Sequence, residues 1–417
     1  MQNIQLEANV LSCMMNSYEC SQENNLLKEE DFVDKEHKQI LKAISELVLG
    51  KKHPDCNTIY EHLNKKIDFS YLADISDTTS TTRGFKSYIS QLKDITLKRK
   101  LINLANDIKT KELTGKGLSE FAEKEIFRLR EEVQTNNFDS TKELIPNALG
   151  RIEDVYIQKG IRGISTGFKA IDEITGGLRK KNLIYLAARP AMGKTALALN
   201  IATNIARKEQ VAIFSLEMSK EELSERMILS EANVSSRRIK QMKDDEWKKV
   251  TTAASYLYNS KIHIYDRNNL KVPEMASMCR KLKKNNGLGL VIIDYLQLMP
   301  IKGSRYEGMT NLSIALKSMA KELDCPVLAL SQLSRAVEAR DNKRPQMSDL
   351  RETGQIEQDA DVIMFIYRGE YYDDETEDKG MAEIIFAKQR NNPTGFIKLG
   401  WLGEFTKFVN YGLKGDK

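Results

Sequence analysis

Apolar residues along the first third of the chain recur at helical spacing. Ile4, Ala8, Leu11 and Met15 share one face, so a first helix is expected there. Phe85, Tyr88, Leu92 and Ile95, continued by Ile102, Ala105 and Ile108, predict a long amphipathic helix. Thr114-Gly115-Lys116-Gly117 interrupts it, and Leu118, Ala122, Ile126 and Leu129 resume the pattern, which reads as a helical hairpin. No stretch up to about residue 132 alternates convincingly as a strand would. This part is expected to be all-α.

Between Gln134 and Ser140 the chain turns polar, as a linker does. A short helix follows, with Ile145, Leu149, Ile152 and Tyr156 on one stripe. Such a helix has nothing of its own to pack on and must dock on this chain or on a neighbour.

From about Gly163 the texture changes. Strand-like apolar runs now alternate with helical stretches: Asn182–Ala188, Val211–Glu217, Lys261–Asp266, Gly289–Leu298, Pro326–Gln332 and Asp361–Arg368. Runs apolar on both faces and separated by helices indicate a parallel sheet covered on both sides. Two further runs, Ala382–Arg390 and Phe396–Leu402, meet at Asn391-Asn392-Pro393-Thr394-Gly395 and predict a terminal β-hairpin. The expected organisation is a helical domain over 1–132, a linker with its helix over 133–162 and an α/β domain over 163–417.

Composition narrows the class only slightly. No window offers the roughly twenty apolar residues of a membrane-spanning helix, and the start lacks a basic-then-apolar leader. Five cysteines without metal-ligand spacing read as reduced thiols, so a cytoplasmic protein is expected. Four isolated histidines argue against a histidine-based metal site. A net charge of +5 permits nucleic-acid binding without arguing for it, and 7% aromatics does not indicate a base-stacking platform.

The chemistry enters at Ala188-Arg189-Pro190-Ala191-Met192-Gly193-Lys194-Thr195, which lies between an apolar strand and a helical run. That is the setting of a phosphate-binding loop, in which N–H groups at the helix start cradle a phosphate. Lys194 would reach the β- and γ-phosphates, and the Thr195 hydroxyl would ligate Mg²⁺. Ala188 stands where the generic motif has its first glycine. Leu290-Val291-Ile292-Ile293-Asp294 ends in an acid at the carboxyl edge of the sheet, where a second metal ligand is needed; a helix-capping aspartate is the alternative. Glu217 closes another strand and is placed to polarise an attacking water, or is simply an acid near the next helix start. Gln332 closes a third strand, and read alone is a hydrogen-bonded amide.

Taken in order, these motifs resemble the DnaB-type replicative helicases. The resemblance runs through Thr166-Gly167-Phe168, the phosphate loop, Ser215-Leu216-Glu217-Met218 and Ile293-Asp294-Tyr295-Leu296-Gln297. It continues through Leu330-Ser331-Gln332-Leu333-Ser334-Arg335, Asp349-Leu350-Arg351-Glu352-Thr353-Gly354, Ile356-Glu357-Gln358-Asp359-Ala360-Asp361 and Ala387-Lys388-Gln389-Arg390-Asn391. That family's phosphate loop also lacks the first glycine. The resemblance implies a RecA-like P-loop ATPase domain joined by a linker helix to an all-α N-terminal domain and assembled as a homo-hexamer. It implies ATP and Mg²⁺, 5′ to 3′ movement on single-stranded DNA, unwinding at the fork, and primase and a helicase loader as partners.

By the same resemblance Glu217 activates water and Gln332 couples the γ-phosphate to DNA contacts. Lys388 and Arg390 resemble the family's trans-acting pair, and Arg351, Glu352 and Gly354 match its DNA-contact loop. That loop follows phosphates through backbone amides, so neither high charge nor stacking is required. One departure is Ile314 before Ala315-Leu316-Lys317, where the family commonly has arginine; the loop Ile301–Met309 is also short. Two rival readings are a strand-exchange recombinase on the same core, without the helical collar, and a nucleotide-binding scaffold that recruits primase or a loader.

Overall fold

The computed structural model describes the chain apart from residues 1–2, 116, 119–120, 123–124, 127, 130–140, 159–160, 268–269, 297–298, 300–303, 351–353 and 412–417. It divides into two compact units, Met1–Asn147 and Ala148–Lys417.

The first unit is helical among its described residues. Helix Ile4–Asn16 is capped by Asn3, whose side chain accepts from the Leu6 N–H at 3.0 Å. The expected stripe is only part of its buried surface: Leu6, Val10, Leu11, Cys13, Met14 and Met15 all enter the core, whereas Ile4, in the first turn, is exposed. Burial on most sides takes in the Glu7 carboxylate. It accepts the Val33 N–H at 2.8 Å and stands 2.9 Å from His37 Nδ1, so the buried charge is not left alone. Helix Phe85–Thr110 matches the long predicted helix and buries Phe85, Ile89 and Leu92. Toward its end the buried residue is Leu104, while Ile102 and Ala105 are exposed. Helix Thr141–Gln158, within which the boundary between the units falls, carries the predicted stripe exposed: Ile145 62%, Leu149 53%, Ile152 56% and Tyr156 83%.

The second unit is built on one nine-stranded sheet. Its strands are β1 (Leu183–Ala188), β2 (Val211–Ser215), β3 (Ile262–Tyr265), β4 (Leu290–Asp294), β5 (Val327–Gln332), β6 (Val362–Tyr367), β7 (Met381–Gln389), β8 (Gly395–Leu402) and β9 (Lys407–Asn410). Their order is β3-β2-β4-β5-β1-β6-β7-β8-β9. The first six pair in parallel, and the last three add antiparallel neighbours. The expected mostly parallel sheet and terminal hairpin are both present, with β9 as an unforeseen ninth strand.

Alternation along each inner strand explains why the sheet forms where the apolar runs lie. Ile184, Leu186 and Ala188 of β1 pack with helix Lys194–Ile205 on one face. Leu183, Tyr185 and Ala187 pack on the other with Met275 and Cys279 of helix Val272–Asn286 and Leu316 and Ala320 of helix Arg305–Glu322. Each fully buried Leu or Ile side chain contributes about 1.5–3 kcal/mol, so a six-residue run buried throughout is held firmly. The result is a rigid edge from which loops project.

Among the described residues no helix is long and apolar enough to cross a membrane. All five cysteines are free thiols.

Candidate nucleotide site

Four neighbouring strands, β2, β4, β5 and β1, bring their carboxyl ends to one edge. Ser215 of β2 pairs with Asp294 of β4, and Gln332 of β5 pairs with Ala188 of β1. Asp294 and Gln332, singled out from the sequence as strand ends, therefore reach the same rim as the phosphate loop. Glu217 differs in detail from the expectation. β2 stops at Ser215, and Glu217 stands exposed in the turn beyond it. The Ser215 hydroxyl closes that turn, donating to the Met218 carbonyl at 2.6 Å and accepting the Met218 N–H at 3.2 Å.

The loop from Ala188 to Gly193 runs directly into helix Lys194–Ile205, whose first N–H groups have no partner within the helix. Gly193 adopts φ +97°, and a Cβ there would stand 3.0 Å from the Phe408 ring and 3.1 Å from Trp401. Glycine is thus required twice, for backbone and for space. Ala191 also lies in the left-handed region at φ 65°, a conformation that costs about 1–2 kcal/mol outside glycine. Its carbonyl accepts from Arg368 Nη1 at 3.1 Å, and the Arg368 guanidinium lies 4.6 Å from the Trp401 ring centroid and pairs with Glu370 at 2.5 Å. Burial favours the neutral Glu370 carboxyl, but the Gly380 N–H and Arg368 hold it below its usual range. Arg368, just past β6, thus braces the loop together with Trp401 of β8 and Phe408 of β9.

The side chains of the loop divide by role. Arg189 is buried and committed elsewhere: it donates to the Leu333 carbonyl at 2.8 Å and pairs with Glu338 at 2.8 Å, so it offers a ligand its main chain only. Pro190 and Ala191 are exposed, and Met192 anchors the loop in the core. Lys194 and Thr195 meet the acid of β4. The Thr195 hydroxyl donates to Asp294 Oδ2 at 2.7 Å, and Lys194 Nζ stands 3.9 Å from Oδ1. Burial depresses the Lys194 ammonium below its ordinary value, with Asp294 and Glu217 pulling it partly back. Its charge also faces the Tyr295 ring at 4.5 Å.

Asp294 is only 3% exposed, and its Oδ1 is buried without a hydrogen-bond partner. A buried anionic oxygen beside a hydroxyl is what a hard divalent cation completes, and Mg²⁺ commonly takes one protein carboxylate plus phosphate and water oxygens. The residues present fit that ion.

Two further groups were expected from the sequence. Arg351 and Glu352 fall outside the described residues. Gly354 opens helix Gly354–Asp359 and is exposed; among the described residues nothing lies within 4 Å of where its Cβ would stand. Lys388 and Arg390 sit at the other end of the sheet. The Arg390 N–H donates to the Asp361 carbonyl at 2.9 Å, and the Asp361 N–H donates to that of Leu183 at 2.9 Å, level with the start of β1. The phosphate loop leaves β1 five residues later, roughly 17 Å along the strand. Both cations fold onto the end of helix Gly354–Asp359, Lys388 on the Glu357 and Gln358 carbonyls and Arg390 on that of Gln358. β7 itself ends at Gln389, so Arg390 lies just past the strand on which both were expected.

Comparison with known proteins agrees with this architecture. The DnaB-like helicase C terminal domain model matches residues 163–410, and the DnaB-like helicase N terminal domain model matches residues 1–94. The replicative DNA helicase DnaC of Bacillus subtilis (strain 168) is 40% identical, covering 98% of this chain and 94% of its own length. The replicative DNA helicase DnaB of Geobacillus stearothermophilus is 38% identical, with 94% and 91% covered. A solved structure described as a DnaB-like replicative helicase and its interactions with primase superposes with a TM-score of 0.75 at 34% identity, covering 98% of this chain and all of that one. A second solved structure, described as an ATPase domain, superposes at 0.64 with 40% identity, over 66% of this chain and all of that domain. With a RecA-like sheet, a phosphate loop at its carboxyl edge and matches along nearly its whole length, the chain belongs to the DnaB-like helicase family.

Proposed function

We propose that the chain is an ATP-dependent replicative DNA helicase, a hexameric ring that moves 5′ to 3′ on single-stranded DNA and separates the excluded strand at the fork. The single observation that carries this reading is the gathering of Lys194, Thr195, Asp294, Glu217 and Gln332 around one phosphate loop in a member of this family. Residues 188–195 hold the triphosphate, with Lys194 on the β- and γ-phosphates. Thr195 and Asp294 would hold Mg²⁺, which when bound neutralises phosphate charge. Glu217 orients and polarises the attacking water, and its exposed place in the turn leaves it open to solvent. Gln332, on the strand next to the loop, reports the γ-phosphate toward the DNA side.

Lys388 and Arg390 act in the neighbouring subunit's site. Their position at the far end of the sheet supports this, because they cannot serve their own phosphate loop. A cation supplied from outside is worth orders of magnitude in phosphoryl transfer. Arg351, Glu352 and Gly354 follow one DNA strand. The domains are a helical collar over 1–132, a linker over 133–162 and the motor over 163–417, with primase and a loader as partners in the cytoplasm.

The test is unwinding of forked DNA by purified protein, with either a 5′ or a 3′ loading tail. Unwinding that requires ATP and the 5′ tail and is lost in Lys194→Ala is the expected result. Hydrolysis without unwinding on any fork, loader added, would overturn the helicase reading.

A further inference from the structure

Asp361 lies between β6 and the last turn of helix Gly354–Asp359 and ties four parts of the motor domain together. It is 7% exposed at the side chain, and its Oδ2 accepts the Leu183 N–H at 2.8 Å and the Lys317 ammonium. Its Oδ1 stands 3.6 Å from Arg390 Nη1, and its carbonyl accepts the Arg390 N–H at 2.9 Å. One residue therefore fixes both the backbone and the guanidinium of Arg390, which is otherwise 46% exposed. The remaining contacts of the two cations are with the carbonyls that end helix Gly354–Asp359. Those carbonyls lack intrahelical partners and carry the negative end of the helix dipole, so cations settle there.

That helix spans only six residues, about 9 Å, and begins immediately after residues 351–353. The same short rod thus starts at the expected DNA-contact segment and ends in the grip of Lys388 and Arg390.

We propose that Asp361 is the positioning residue of the trans-acting pair: it anchors Arg390 to the sheet, with the carbonyls that end helix Gly354–Asp359 as the second support of the same side chain. The proposal rests on the reading that Lys388 and Arg390 serve a neighbour's site. In Asp361→Asn the Leu183 N–H keeps an acceptor, but the guanidinium loses its counter-charge.

The experiment is steady-state ATP hydrolysis by full-length rings, alone and mixed. Displacing a reacting group by about 1 Å can cost on the order of a hundredfold, so Asp361→Asn should lower kcat by about 10- to 100-fold and leave the KM for ATP within about twofold. Mixed with Lys194→Ala, it should regain hydrolysis as Arg390→Ala mixed with Lys194→Ala does, because the lesions lie on opposite sides of the interface. Mixed with Arg390→Ala it should not, and the double variant should be no slower than Arg390→Ala alone. Lys317→Met controls for loss of the buried ion pair, with a lower melting temperature but near-normal kcat expected. If Asp361→Asn does not fold, Asp361→Glu, which moves the charge by one methylene, replaces it in every arm.

Wild-type kcat in Asp361→Asn overturns the proposal. So does failure of its mixture with Lys194→Ala where the Arg390→Ala mixture succeeds, or an equal kcat loss in Lys317→Met. Failure of the Arg390→Ala and Lys194→Ala mixture despite co-assembly removes the trans-acting reading itself, and the role of Asp361 with it.

Discussion

The Thr195 hydroxyl gives its hydrogen bond to one oxygen of Asp294 and leaves the other buried without one, its nearest cation Lys194 at 3.9 Å. An unsatisfied buried acceptor costs about 1–3 kcal/mol, more when charged, so this carboxylate is held ready at the expense of stability. Asp294→Asn should therefore melt no lower than wild type while losing Mg²⁺-dependent hydrolysis by about a hundredfold or more, the scale of removing one transition-state electrostatic contact. Thermal melts and a Mg²⁺ titration of turnover check this together. Turnover within tenfold of wild type would remove Asp294 from the metal site.

Lys194 sets a pH dependence. Burial holds its ammonium below the ordinary 10.5, so the charge that meets phosphate is lost at lower pH than an exposed lysine would lose it. Nucleotide binding should fall on an alkaline limb below 10.5. Glu217 pulls the value up, so Glu217→Gln should move that limb further down in a fluorescent-nucleotide titration. Stability runs the other way. Between the depressed value and 10.5 the unfolded chain holds more protons, so the contribution of Lys194 to folding improves as pH rises.

Glu217→Gln should retain nucleotide at neutral pH and lose kcat by about 10²- to 10⁴-fold, the usual worth of a positioned general base. Rapid-quench turnover beside equilibrium binding separates the two effects. Equal rates for variant and wild type would mean that another group activates the water.

The stripe on helix Thr141–Gln158 should govern assembly. Leu149→Asp with Ile152→Asp places two charges on an exposed apolar face, so the folded chain should persist while larger assemblies are lost. Light scattering after size exclusion, with circular dichroism for the fold, checks it. An unchanged mass would show that the stripe is not an interface between copies.

Most of the sheet was legible because β1, β2 and β4 are buried throughout, and β5 up to its last residue, so the apolar runs had no other place to go. Asp294 and Gln332 were legible for the same reason, each being the polar end of such a run. β9 was not: it is four residues long and buries only Phe408. Nor was the bracing of the phosphate loop, since Arg368, Trp401 and Phe408 reach Ala191 and Gly193 from far along the chain. Local periodicity cannot report contacts made through the fold. In helix Ile4–Asn16 the stripe understated burial, because Glu7 and Ser12 are polar yet buried where backbone and side-chain partners satisfy them.

The β1 strand also acts as a ruler. The phosphate loop leaves one end of it, and the Arg390 cradle is level with the other. Two copies related by a two-fold axis could pair cradle with loop only reciprocally, which closes a dimer and stops there. Copies that exchange head to tail instead make a heterologous contact, which either closes into a ring or runs on as a helix. In either arrangement the six-residue strand would set the offset between neighbouring copies that share a site.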